Sequence, residues 1–268
     1  MKLQSASVFL GQAQLIASFC AGTVMLLGSA AQAATVIAPN GLTSLEGDIN
    51  NVFPFSLGQV ASEVPSGTQR YQQIYAASDF TALAAGGEYI TQIAFRPDAG
   101  GGGVFSSTLP SIRIDLSTAS TAPDALSTTF ANNVGADDTI VYGGVTGAPL
   151  SLSSSFTGPV GGPEAFDINI NLATPFLYNP AAGNLLLDVR NFGGGITTIF
   201  DAENTDPSIS RVCTMGSGVG SATADLADNY GLVTLFTTVV PEPGTMALAV
   251  LGSSSVFLFR RRKLRCLP

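Results

Sequence analysis

From Ala165 to Leu172 apolar and polar side chains alternate without a break. Phe166, Ile168, Ile170 and Leu172 fall on one side, and Asp167, Asn169 and Asn171 on the other. A period of two puts one set on the core face of a strand and the other in solvent. Ser111–Ser117 repeats the pattern, with Ile112, Ile114 and Leu116 opposite Arg113 and Asp115. Arg70–Ala77, Tyr89–Arg96, Thr139–Tyr142, Leu185–Phe192, Ile196–Phe200 and Gly231–Val239 read as further strands. Clusters of Gly, Pro, Asn, Ser and Thr separate them and supply turns. Many short strands at this spacing predict an all-β fold, a single jelly-roll-like β-sandwich. One short helix, or a turn between strands, is expected at Pro123–Asn132, where Pro123 suits a first turn and Leu126 and Phe130 stand four apart.

Both ends depart from this pattern. Lys2 is the only charge before Glu46, and Leu15–Leu27 is apolar enough for the core of a signal helix. Ala31 and Ala33 supply small residues at cleavage positions, so residues 1–33 read as a signal peptide cut before Ala34, with an uncleaved anchor as the alternative. The Sec export machinery is the partner this implies. At the other end stand Val239-Val240-Pro241-Glu242-Pro243-Gly244, an apolar run from Thr245 to Phe259, then Arg260, Arg261, Arg262, Lys263, Leu264 and Arg265. The prolines forbid a continuing helix or central strand. The apolar run of 15 residues is short against the roughly 20 that cross a bilayer core. The cations behind it fix its orientation, because Lys and Arg stay on the cytoplasmic side. A transmembrane helix is expected at 245–259 with a basic tail at 260–265.

Those ordered features resemble the PEP-CTERM sorting signal of exopolysaccharide-producing bacteria, over residues 239 to 265 only. The resemblance implies a sorting motif at Pro241, Glu242, Pro243 and Gly244 and an exosortase-type membrane protease as partner. It further implies export, transient anchoring in the inner membrane, and delivery to the cell surface or extracellular matrix. Residues 34–238 then form the exported domain, whose stretch from Tyr71 to Arg190 is similar to uncharacterised ectodomains of that family.

Composition narrows what this domain can do. The chain has no His and no Trp, and its only lysines are Lys2 and Lys263, both in targeting segments. No Ser-His-Asp, Cys-His or Ser-Lys arrangement can be built, nor a zinc site relying on imidazole. Cys20 and Cys266 lie in the terminal segments, leaving Cys213 alone without an internal bridge and most simply a buried small hydrophobe. From Ala34 to Val240 there are 18 acidic residues against five arginines, a net charge of −13. Such a domain repels nucleic-acid phosphates, so no nucleic-acid partner is expected.

What remains is carboxylate chemistry and sugar contact. Asp201, Glu203, Asn204 and Asp206 crowd one turn-like stretch and could wrap a Ca²⁺ ion, although the Asp-x-Asp-x-Asp-Gly pattern is missing; a solvated acidic loop is the other reading. No other cofactor is expected. Glu164, Asp167, Asp188 and Asp201 are the candidates for a glycosidase-type pair, with Asp167 and Asp188 meeting across neighbouring strands. Without Trp, a glycan platform falls to Tyr71 and Tyr75 on one strand face. The sequence thus favours a non-catalytic surface or matrix protein, with a carbohydrate-binding sandwich and then a carboxylate-dependent glycan hydrolase as alternatives. Extracellular polysaccharide is the partner these readings share.

Overall fold

The computed structural model describes residues 33–158 and 162–241 of the 268. The expected signal helix, membrane helix and basic tail lie outside the described residues. Among the described residues no helix is long and apolar enough to cross a membrane.

The described residues form 14 strands: β1 Ala33–Ala38, β2 Ile49–Asn51, β3 Gln69–Tyr75, β4 Glu88–Phe95, β5 Phe105–Ala119, β6 Thr139–Tyr142, β7 Ala148–Ser154, β8 Ile168–Tyr178, β9 Asn184–Asn191, β10 Phe200–Glu203, β11 Ile209–Cys213, β12 Leu226–Asp228, β13 Gly231–Leu232 and β14 Thr234–Val239. They make an all-β, sandwich-like fold. One sheet runs β1-β14-β4-β8, a larger one runs β12-β11-β3-β9-β5-β6 with β7 also on β5, and a small one runs β13-β10-β2.

The alternation read from the sequence is what closes the core. Ile112, Ile114 and Leu116 of β5, Leu185, Leu187 and Val189 of β9, and Ile168 and Ile170 of β8 turn into one buried cluster. Asn169 and Asn171 stay exposed on the far side. Ring pairs tie the layer together: Phe236 packs edge-on to Tyr75 at 5.1 Å, and Phe55 lies 5.4 Å from Phe95. Tilted and edge-on contacts of this kind suit the aromatic quadrupole. Inside, Gln73 of β3 donates to the Leu232 carbonyl at 2.9 Å and accepts from the Leu232 N–H at 2.7 Å. One side chain thereby satisfies both backbone groups of Leu232, in a strand of only two residues.

Two expectations are corrected. Pro123–Asn132 is not a helix but two short 3-10 turns, Pro123–Ala125 and Phe130–Asn132. The segment covers the outer face of the large sheet, where Leu126 and Val134 pack on Ile74, Ala119 and Leu186. Ile196–Phe200 is not a strand, since β10 starts only at Phe200 and Ile196 is 59% exposed. Gly194 and Gly195 enter it at positive φ, and Thr197 N–H bonds Ser56 Oγ instead of a sheet neighbour. The glycine run after Ala99 is ordered by side chains: Asp98 accepts from Gly101, and Gly103 N–H donates to Thr198 Oγ1 at 2.9 Å.

Candidate functional site

Where β4 ends, the chain buries a cation. Arg96 is 1% exposed and its Nε meets Asp201 of β10 at 2.6 Å, while a second guanidinium nitrogen donates to the Leu45 carbonyl at 2.6 Å. The guanidinium carbon sits 4.8 Å from the Phe166 ring centroid. Planar Arg suits such a site, since its fork serves several acceptors and its face stacks on a ring. Asp201 also accepts the Gly47 N–H at 2.9 Å. Two more carboxylates approach it: Glu46, Asp98 and Asp201 can each place an oxygen within 4.8 Å of the others. Glu46 Oε1 accepts the Ala99 N–H at 2.7 Å, and its Oε2 is buried without a partner.

Charge is unbalanced in this cluster, with three carboxyls against one guanidinium. Burial pushes the Asp201 carboxyl up to about 7, helped by the charge of Glu46 and opposed by Arg96 and the Gly47 N–H. Burial also raises Glu46. Three carboxylate oxygens are a partial shell for Ca²⁺, which takes six to eight oxygens. Arg96 already occupies one Asp201 oxygen.

A second ionic group lies on the outer face of the large sheet. Asp115 of β5 and Asp188 of β9 stand opposite each other in register. Arg70 grips Asp188 at 2.5 Å, Arg113 grips Asp115 at 2.9 Å, and Arg190 reaches both at 3.8 and 3.7 Å. Asp115 is 1% exposed and Asp188 2%. Above them Phe130 lies under the Arg70 guanidinium at 4.6 Å, and Gln72 donates to Asp188 at 2.9 Å. This is a buried carboxylate pair whose members are each held by a guanidinium and covered by the Phe130 loop.

The predicted site residues are distributed differently from the sequence reading. Of the four proposed calcium ligands only Asp201 joins a carboxylate cluster. Glu203 turns back on its own loop, accepting from Thr205 and Asp206. Asp206 accepts the Ser208 N–H at 2.8 Å, and Asn204 contributes a backbone N–H to Asp48 at 2.9 Å. Asp201 and Glu203 share one side of β10, but the stretch beyond them folds away as a self-capped turn. Asp167 and Asp188 do not meet. Asp167 precedes β8 in the smaller sheet and binds Ser154 and Ser155, whereas Asp188 belongs to the larger one. Tyr71 and Tyr75 are both 0% exposed. Neither offers a ring face to a glycan: the Tyr75 hydroxyl is spent on Thr234 at 2.7 Å, and the Tyr71 hydroxyl donates to Gln73. Cys213 is buried and unbridged, its thiol pushed up to about 12 by burial.

Glu46 and Asp98 were invisible as partners of Asp201, because they stand 155 and 103 positions away in the chain. The Asp115–Asp188 pairing left a trace. Arg113-Ile114-Asp115 and Asp188-Val189-Arg190 each put two charges on one strand face.

At the terminal segments, Ala33 and Ala34 open β1, paired with Val239 and Thr238. Ala31 lies outside the described residues, as do Glu242, Pro243, Gly244, Arg260, Arg261, Arg262 and Lys263. Strand β14 runs to Val239, and only Val240 separates it from Pro241. The described part is thus a β-sandwich domain whose last strand runs directly into a proline-bearing tail. Residues 239–263 match the family model of the PEP-CTERM protein-sorting motif. The chain carries a PEP-CTERM sorting signal, which directs export, anchoring in the membrane and processing by exosortase. No curated protein and no solved structure matches the chain.

Proposed function

We propose that this is a non-catalytic surface or extracellular-matrix protein of an exopolysaccharide-producing bacterium, released from its membrane anchor by exosortase. The observation that carries the reading is the matched sorting motif, which begins at the last residue of the β domain's final strand. Its polypeptide is a signal peptide at 1–33, a jelly-roll-like domain at 34–238 and a sorting segment at 239–268.

The absence of catalysis is supported by composition and by where the carboxylates stand. The domain has no His and no Lys. Of the carboxylates the sequence offered for a hydrolytic pair, Asp188 and Asp201 are held by Arg70 and Arg96. Glu164 and Asp167 serve nearby backbone and hydroxyl groups, with Thr157 donating to Glu164 at 3.2 Å and the Ser155 N–H to Asp167 at 2.8 Å. General acid–base work needs a carboxyl free to reach substrate.

The sorting claim is tested by replacing Pro241, Glu242 and Pro243 with alanine in a host that carries exosortase. The expected product stays full length in the membrane fraction. A normally matured C-terminus in that variant, read by mass spectrometry, overturns the reading.

A further inference from the structure

The domain's outer surface is not uniform along the smaller sheet. At the end where β14 finishes, Val239 stands opposite Tyr89 of β4, and Tyr89 stands opposite Leu177 of β8. The inward neighbours on these strands, Ile90, Phe176 and Thr238, are buried, so Val239, Tyr89 and Leu177 all point outward. Tyr89 is 37% exposed and Leu177 45%, and Val240, the next residue of the chain, is 42% exposed. Single exposed apolar residues are ordinary. Here Val239, Tyr89 and Leu177 form a line across three adjacent strands.

The same face turns polar further from that end. Thr35, Thr237, Gln92 and Asn171 form the parallel row, joined by hydrogen bonds of 3.2 Å from Thr237 to Gln92 and 2.8 Å from Gln92 to Asn171. The apolar row therefore stops at one rim, the rim from which the sorting segment departs. Val239 and Thr245 are six positions apart, a reach of about 20 Å when fully extended. The bilayer's polar boundary is only several ångströms deep on each side. While Thr245–Phe259 is in the membrane, the row is thus confined near the lipid surface. An amphipathic Tyr with aliphatic neighbours is the composition that settles at that boundary.

We propose that Val239, Tyr89 and Leu177, with Val240 beside them, form a lip that seats the domain in the headgroup boundary of the bilayer before exosortase cuts. The occupant is lipid, held by apolar contact and not by charge, since the domain is strongly acidic. The proposal rests on the reading that the tail enters the membrane. It adds that the domain docks there in one orientation, rim inward, instead of swinging on its linker.

The chain has no Trp, so a single introduced Trp reports its own surroundings. Full-length protein carrying Tyr89→Trp, Leu177→Trp, Val145→Trp or Phe257→Trp is reconstituted into phosphatidylethanolamine–phosphatidylglycerol vesicles. The lipids are brominated either close to the headgroups or deep in the acyl chains. Val145, 71% exposed, sits between β6 and β7 near Ile112, which pairs with Asn191 of β9. Asn191 in turn bonds Pro54, beside the Phe55–Phe95 contact, so Val145 belongs to the end where β4 finishes. Expected is emission of Tyr89→Trp and Leu177→Trp that shifts to the blue and falls about twofold with shallow bromines, as for side chains 5–10 Å inside the boundary. Val145→Trp keeps its emission. Quenching of Tyr89→Trp and Leu177→Trp no stronger than that of Val145→Trp overturns the proposal. If Phe257→Trp is quenched by deep bromines in that same experiment, the anchoring reading survives and only the lip fails. If Phe257→Trp is not quenched either, anchoring itself fails and the lip falls with it.

Discussion

At the residue scale, most of the domain's few cations are spent on buried carboxyls. Arg96 and Asp201 are 1% and 0% exposed, a pairing whose removal from water is costly and whose half-removal is costlier. The Asp201 carboxyl lies near 7 in the folded protein, above the 3.8 of a free Asp side chain. A raised carboxyl favours its protonated form in the native state. Its stabilising contribution is therefore complete below pH 3.8 and is lost as pH rises through 7. Glu46, Asp79, Asp115 and Asp138 are raised in the same direction, chiefly by burial. Thermal unfolding should occur at a lower temperature at pH 8 than at pH 5, by about 2–4 °C for each kcal/mol lost in a domain of this size. Asp201→Asn should flatten that slope when the two melts are compared by calorimetry, and an unchanged slope would remove Asp201 as its source. Gly143 offers a second measurement. It has φ +82°, and an added Cβ would lie 1.9 Å from the Ile112 carbonyl oxygen. Gly143→Ala should cost at least about 1 kcal/mol in urea unfolding, since both backbone conformation and space oppose it.

At the element scale, β5 is the strand on which most depends. It spans Phe105–Ala119 and bonds to β6, β7 and β9. Pro110 interrupts it without ending it. The register with β7 shifts between Leu109 and Ile112, so the missing N–H falls where pairing is already irregular. Ile114, at 1% exposure among β9 and β8 side chains, carries no polar role. Ile114→Ala should lower unfolding free energy by about 2–5 kcal/mol with an unchanged denaturant slope. The sequence exposed this element well, because Ile112, Ile114 and Leu116 obey the period of two. It failed where a segment's hydrogen bonds go to loops. Ile196–Phe200 is apolar enough for a strand, yet its partners are Ser56 and the 97–103 turn, which no local pattern announces. The Pro123–Asn132 segment had helical spacing at Leu126 and Phe130, but those side chains are fixed by the sheet beneath them and not by a helix. Long-range convergence was the least legible. Glu46, Asp98 and Asp201 come from three separate loops and strands, and only the fold brings them within reach of one another.

At the scale of the whole molecule, the order of strands constrains how processing can end. Strand β14 is not an edge: it lies between β1 and β4, and its partners include both the first strand of the domain and a core strand. Phe236 of β14 is 0% exposed and packs on Tyr75 and Phe80. A cut before Val239 would remove the residue that pairs with Tyr89 and shorten a strand at the middle of the sheet. Folding also depends on completion of the chain, because β1 has no strand neighbour until residues 234–239 are available. The smaller sheet should thus close only after nearly all of the exported domain has been translocated, when the sorting segment is the next to follow. The released protein should keep every residue of β14, with its C-terminus at or beyond Val239. Intact-mass measurement of mature protein, purified from a host with exosortase, checks this directly. A mature C-terminus before Val239 would contradict it, and one before Phe236 would also lose the Tyr75–Phe236 contact that joins the two large sheets.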